Sequence, residues 1–503
     1  MTDVEKRQAR SPVPSAFDYA PAPESREIVR LEERYGLFIG GELVEPRSGE
    51  YQPTVNPATE EPLAEVAYAG PEDVDLAVTT ARDALENGWS ELPGSERAKY
   101  LFRIARILQE RSREFAVLES LDGGKPIRES RDVDLPLAAA HFFYYAGWAD
   151  KLEYAFPNRR PRPVGVAGQV IPWNFPLLML SWKIAPALAA GNTVVLKPAE
   201  TTPLTALLFC DVLRQAEVPP GVVNIITGDG RAGAELVKHP GVDKVAFTGS
   251  TEVGKEIQRA IAGTGKKLTL ELGGKAANII FDDAALDQAV EGIINGIYFN
   301  QGHVCCAGSR LFVQESIYEE TIAKLKRRMG TLRVGDPLDK NTDVGAINSQ
   351  QQLEKIKELV ASGEEEGAEI YQPPCRLPER GWFFVPTVFT NVAQSYRIAQ
   401  EEIFGPVLSV LTFRTPDEAL EKANNTPYGL SAGVWTEKGS RILAMAQGLR
   451  AGVVWANTFN RFDPASPFGG YKESGFGREG GLHGLAPYLE LTPREPAQRD
   501  GAT

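Results

Sequence analysis

GVAGQVIPWNFPLLMLSWKIAPALAAGNTVVLKPAE, residues 165–200, decides the fold. Two short apolar runs, GVAGQVI (165–171) and TVVLK (193–197), flank a stretch from Leu177 to Ala190 that is long enough for a helix. Strand, helical crossover and strand is the unit of a parallel sheet, whose strands read as unbroken apolar runs because helices cover both faces. The alternation continues downstream through a helix over Leu204–Gln215, VVNIIT (222–227), a helix near Ala232, KVAFTG (244–249), a helix near Val253 and KLTLEL (267–272). Five such strands predict a doubly wound, Rossmann-like α/β sheet. A second α/β series starts at AANIIF (276–281) and runs through helices over Leu286–Ile297 and Tyr318–Met329. Upstream, apolar positions recur at helical spacing between Asp73 and Leu121. The acidic run Glu364–Glu366 reads as a solvated helix end.

A length of 503 residues fits two to four domains or one large enzyme, and 43% hydrophobic with 24% charged residues is ordinary for a globular chain. Four cysteines (Cys210, Cys305, Cys306, Cys375) are too few for a disulfide framework, and four histidines leave no metal site in prospect. The net charge of −13 argues against a general nucleic-acid or anionic-membrane surface, though a dinucleotide needs only a local site. The first 25 residues contain no apolar core of a secretory signal, and the apolar stretch from Leu177 to Leu196 is broken by Lys183, Pro186 and Gly191, so no membrane span is expected. These features predict a cytoplasmic protein with a disordered tail over residues 1–26 and a second Pro- and charge-rich tail from Thr492.

Several motifs carry chemistry. Gly228-Asp229-Gly230-Arg231-Ala232-Gly233 fits G-x-G-x-x-G between a strand and a helix, the context of a pyrophosphate turn, and equally that of a tight structural turn. FTGSTEVG (247–254) competes with it, since glycine and hydroxyl residues opening a helix also aim N–H groups at a phosphate. Lys197 and Glu200 stand just past a parallel strand, where open α/β sheets bind ligands, and could bond ribose hydroxyls. Cys305, in FNQGHVCCAGSR (299–310), follows a glycine-containing turn and so has a route to exposure, whereas most apolar-flanked cysteines are inert core thiols. His303 lies too close in sequence to make a thiol–imidazole dyad by spacing alone.

Together, PWNFPL (172–177), LKPAE (196–200), FTGSTEVG, ELGGK (271–275), NQGHVCCAGSR (300–310), EEIFGPV (401–407) and the segment 457–481 resemble the aldehyde dehydrogenase superfamily, in the family's order, from about Leu37 to Leu491. The resemblance implies NAD-dependent oxidation of an aldehyde to a carboxylic acid. It makes Cys305 the nucleophile, Asn174 an oxyanion donor, Glu271 the general base, Glu479 a second proton-relay carboxylate and Lys183 a lysine near the nucleophile. It places the pyrophosphate near Gly249 and Ser250 and the adenosine ribose on Lys197 and Glu200, with Gly228 close by. Ile171 and Trp173 would flank the adenine, Glu402 and Phe404 the nicotinamide ribose, and Gln352 would add a contact. Glu200 should repel a 2′-phosphate, favouring NAD over NADP. Leu137, Phe175, Met179, Trp182, Phe299, Phe462 and Phe468 match substrate-pocket positions, an apolar and aromatic entrance for medium or long aliphatic or aromatic aldehydes. No metal is implied. The implied domains are an NAD-binding part over 27–145 and 163–273, a catalytic part over 274–481, and a reduced oligomerisation arm over 146–162 and 482–503.

Three departures stand out. His303 replaces the family's usual Gln or Glu, either as a tolerated turn residue or as a source of pH dependence near pH 6.5. The arm segment KLEYAFPNRRPR is short, and Pro493 and Pro496 oppose a C-terminal strand, so a homodimer is expected in place of a strand-swapped tetramer. FDYAPAPES and the short arm resemble the family-sixteen subgroup, whose members commonly carry a second domain, which implies either a short form or a fragment. Two rival readings remain: a CoA-acylating enzyme, disfavoured by Glu271, and a non-catalytic scaffold, disfavoured by Cys305, Glu271 and Asn174.

Overall fold

The computed structural model describes residues 20–494. Its first sheet has eight strands, in spatial order Gly475–Phe476, Lys267–Glu271, Lys244–Thr248, Val166–Val170, Thr193–Lys197, Val223–Ile225, Leu37–Ile39 and Glu42–Val44. The five central strands are the five apolar runs of the sequence, and all are parallel. Their register aligns one edge: Val170 lies opposite Lys197 and Phe247, and Thr248 lies opposite Glu271. Four residues from the predicted motifs thus end up along a single carboxyl edge, where ligands bind in such sheets.

The second sheet runs Glu369–Tyr371, Thr387–Thr390, Val407–Phe413, Arg310–Gln314, Ala277–Ile280, Ser431–Trp435 and Val453–Ala456, parallel except at the first pair. Helix Pro176–Ala189 is buried along its whole length, Lys183 included, and contains no other charge. Proline at its start supplies a preset φ where no N–H is needed. Helices Leu204–Gln215, Leu286–Ile297 and Tyr318–Met329 have the predicted bounds. Glu364 and Glu365 are exposed at the end of helix Gln350–Glu365. Among the described residues no helix is long and apolar enough to cross a membrane.

Two expectations need correction. Residues 20–26 are docked against the body: Pro23 bridges to Asp339, and buried Glu24 pairs with Arg113 and Lys340. A carboxylate held between two cations outweighs the disorder-prone composition here; residues 1–19 lie outside the described range. The C-terminal segment does form a strand, Leu489–Pro493, antiparallel to Arg159–Pro163 of the same chain. Val164 N donates to Tyr488 O (3.2 Å) and Arg494 N to Asn158 O (3.1 Å). Ladder bonds alternate along an antiparallel pair, so the even-numbered residues face inward and Pro161, Pro163 and Pro493 face outward, where their missing N–H groups break no bond. Pro496 lies outside the described residues.

Candidate active site

A cavity of about 180 Å³ opens between the two sheets. The first sheet brings Thr248, Gly249, Ser250 and Glu271 to it, the 172–175 loop brings Trp173, Asn174 and Phe175, and the second half brings Cys305, Glu402, Phe404 and Glu479. The cysteine loop is shaped by backbone: Asn300 and Gln301 are left-handed (φ 47° and 53°), and Gly302 has φ 76°. A Cβ on Gly302 would stand 2.0 Å from the Gly405 carbonyl oxygen, so only glycine fits. Cys305 is partly exposed while Cys306 is buried. The neighbouring Cys306 thiol and burial hold the Cys305 pKa well above its usual value, so the group is held as the thiol and must lose its proton before it attacks.

Asn174 is buried, and its Nδ2 donates to His303 O at 2.7 Å. Glu271 is 5% exposed and neither carboxylate oxygen has a hydrogen-bond partner. Burial and then the Glu479 charge raise its pKa well above the ordinary carboxylate value, against the pull of Lys183. Lys183 Nζ and Glu479 Oε1 form a buried ion pair at 2.5 Å.

The carboxyl edge offers further polar groups. Lys197 Nζ is 3.4 Å from Glu200 Oε2, with Ile171 N bonded to Lys197 O (3.1 Å). Gly228 (φ 142°) carries the adjoining turn. Ser250 caps helix Thr251–Ala260 by accepting from Val253 N, and beside it the buried Thr248 hydroxyl has no partner. Glu402 Oε1 accepts from Gly274 N at 2.9 Å, and burial pushes its pKa up to about 7. An orphan hydroxyl beside an open helix N-terminus fits a pyrophosphate, and the carboxylates at either end fit ribose hydroxyls.

Some expected placements differ. Trp173 lines the cysteine cavity, edge-on to His303 (4.8 Å) and Phe404 (5.2 Å), and Lys197 and Glu200 are not in that lining. Gln352 lines the cavity, but its Nε2 is taken by Ile403 O and Phe404 O, both at 3.0 Å. His303 is buried against Trp173 and Phe404, and burial lowers its pKa to about 3, so it is neutral across the physiological range. Cys375 is partly exposed and Cys210 is buried. Phe175 and Phe299 stack on one side of the cavity (6.2 Å), and Trp182, Phe462 and Phe468 cluster nearby, with Met179 between the walls' residues in the lining. Leu137 lies farther out, in an adjoining vestibule of about 970 Å³ that shares Phe299 and Phe462. Sequence reading missed Lys355, which lines the cavity one helical turn beyond Gln352. The i, i+3 spacing was the available signal.

A doubly wound sheet with a dinucleotide-fitting edge, facing a cysteine and an unpaired carboxylate, defines a cysteine-bearing dehydrogenase. The chain belongs to the aldehyde dehydrogenase family, whose family model matches residues 43–493. It is 48% identical over 475 residues to retinal dehydrogenase 2 of Homo sapiens, covering 92% of each chain. It is 45% identical to an aldehyde dehydrogenase of Alternaria alternata, over 92% of this chain and 95% of that one. The NAD+ complex of an aldehyde dehydrogenase from Bacillus cereus superposes with a TM-score of 0.89 at 44% identity, covering 92% of this chain and 98% of that one. The protein is an NAD-dependent aldehyde dehydrogenase.

Proposed function

We propose that Cys305 attacks the aldehyde carbon and that the reaction passes through a thioester on its sulfur. The observation that carries this reading is the shared cavity of Cys305, the Asn174 amide and the unpaired Glu271 carboxylate. Attack by the sulfur, with the thiol proton passing to solvent, forms a C–S bond and places negative charge on the former carbonyl oxygen, and collapse of that oxyanion expels the aldehyde hydrogen as hydride and leaves the thioester. A carboxamide has two N–H donors; one on Asn174 is bonded to His303 O, which orients the other towards that oxygen alongside the Cys305 N–H. Lys197, Glu200, Ser250 and Glu402 would hold NAD, which when bound would supply the acceptor for that hydride. Glu271 then takes a proton from the water that attacks the thioester, releasing the carboxylic acid and the Cys305 thiol. The Lys183–Glu479 pair gives that proton a next station. One aldehyde, one water and one NAD+ yield one acid, one NADH and one proton.

The two sheets divide this work, with the dinucleotide on 27–145 and 163–273 and the thiol on 274–481; the strand Gly475–Phe476 returns to the first sheet. The aromatic walls support medium or long aliphatic or aromatic aldehydes as substrates, and the name of the human relative, retinal dehydrogenase 2, points the same way. We further infer a homodimer in a reducing, cytoplasmic setting, which keeps the Cys305 thiol free. The direct test is NADH production across an aldehyde panel with NAD and with NADP. Activity lost in Cys305→Ala supports the reading; full activity in that variant, or acyl-CoA formation on addition of CoA, overturns it.

A further inference from the structure

Behind the wall that carries Asn174 lies a buried group of charges that the reaction above does not use: Glu119, Lys125, Glu129 and Asp134, with exposures of 0, 1, 6 and 0%. Lys125 is ion-paired with Asp134, sits 4.1 Å from the centre of the Phe175 ring and donates to Asn174 O at 3.3 Å. That same carbonyl accepts a second bond from Asn300 Nδ2 (2.8 Å). Asn300 N in turn donates to Glu129 Oε2 (2.8 Å), and Leu177 N donates to Glu119 Oε2 (3.3 Å).

Asn174 lies between strand Val166–Val170 and helix Pro176–Ala189, so no ladder or helical bond fixes its peptide. We propose that Lys125 is a positioning residue for oxyanion binding: with Asn300 it clamps the main-chain carbonyl of Asn174 and so holds the side-chain amide in place over the Cys305 loop. The proposal rests on the roles assigned above to Cys305 and Asn174. Burial pushes Glu119 and Glu129 each up to about 8 and raises Asp134 as well, and of the three carboxyls it is Asp134 that pairs directly with Lys125. A buried ion pair is weak evidence for stability, because an apolar pair of similar volume does as well or better. A displacement of roughly 1 Å at a reacting centre, in contrast, can cost on the order of 100-fold in rate.

The test is the charge-balanced double variant Lys125→Met with Asp134→Asn, which leaves no lone buried charge. Expected is a fall in kcat of about 10- to 100-fold, with KM for NAD and the rate of Cys305 alkylation by iodoacetamide each within about twofold of wild type. Alkylation develops no oxyanion, so a merely structural lesion in the thiol loop would slow it as well. In an Asn174→Ala background the same pair should add less than a twofold loss, since the group it positions is gone. Asn300→Gly, which tolerates the left-handed backbone but lacks the second donor, should show the same split if the double variant folds poorly. Unchanged kcat, a parallel loss of alkylation, or an undiminished effect in the Asn174→Ala background would each overturn the proposal. Full activity of Asn174→Ala itself would instead overturn the oxyanion role on which it rests.

Discussion

Glu271 and His303 are both buried near one cysteine, yet their environments push them to opposite uses. For the carboxylate, burial and the Glu479 charge favour the neutral form, so its pKa is raised; it works as a base only when ionised, and the hydrolytic step therefore speeds up as pH rises. Steady-state kcat should climb from pH 6 into the alkaline range. In Glu271→Gln, turnover should fall by roughly 10²- to 10⁴-fold and lose this slope, while an initial burst of about one NADH per active site survives, because acylation precedes the step that needs the base. Stopped-flow absorbance checks both, and a missing burst counts against the assigned order. For the imidazole, burial favours the neutral form, with a pKa of about 3. His303→Gln should accordingly keep the wild-type pH–rate profile between pH 5 and 9; a shifted profile would restore a titrating role. The convergence of Cys305, Glu271 and Asn174 on one cavity was legible at this scale because each sits in a motif of its own. Lys125 was not, since a lysine in a turn says nothing of its partner until the chain folds, and Lys355 was marked only by its spacing from Gln352.

At the scale of elements, what was legible follows from local pattern. Helices Leu204–Gln215, Leu286–Ile297 and Tyr318–Met329 show period-3.6 burial between clear strand runs, so their bounds could be read directly. The strand Gly475–Phe476 has no such pattern; it exists because Gly475, at φ 104°, can lie against Leu270 O, where a Cβ would come to 2.1 Å. The same kind of long-range demand sets the turn after strand Lys267–Glu271. A Cβ on Gly273 would stand 2.3 Å from Glu402 Oε2, so Gly273→Ala must push that carboxylate aside while the strand before it stays paired. The expected result is about a tenfold rise in KM for NAD, some 1.4 kcal/mol, with the Cys305 alkylation rate unchanged. Unaltered KM would show that Glu402 does not touch the cofactor.

For the molecule as a whole, the ribbon of Arg159–Pro163 and Leu489–Pro493 has one edge that is closed to a further strand. Its existence was not legible, because Pro493 and Pro496 were weighed by type alone, whereas a proline weakens a strand only where its N–H would have pointed at a partner. Here the alternation of ladder bonds turns Pro161 and Pro163 outward, so the free edge of Arg159–Pro163 presents carbonyls with no donor at either proline. Arg159, the remaining outward residue, already gives its N–H to Phe156 O. An edge without donors cannot be extended by a third strand, the device by which open sheets avoid joining edge to edge. That edge of the arm is therefore closed to a further strand, and the dimer inferred above is the assembly to test. Light scattering with size exclusion should give a single species of twice the chain mass. Pro161→Val with Pro163→Thr restores two outward donors on a strand that is otherwise unchanged, and should produce concentration-dependent species larger than the dimer. A wild-type tetramer would show that the ribbon is not what limits assembly, and a variant that stays dimeric would show that donor loss at these two prolines is not the reason.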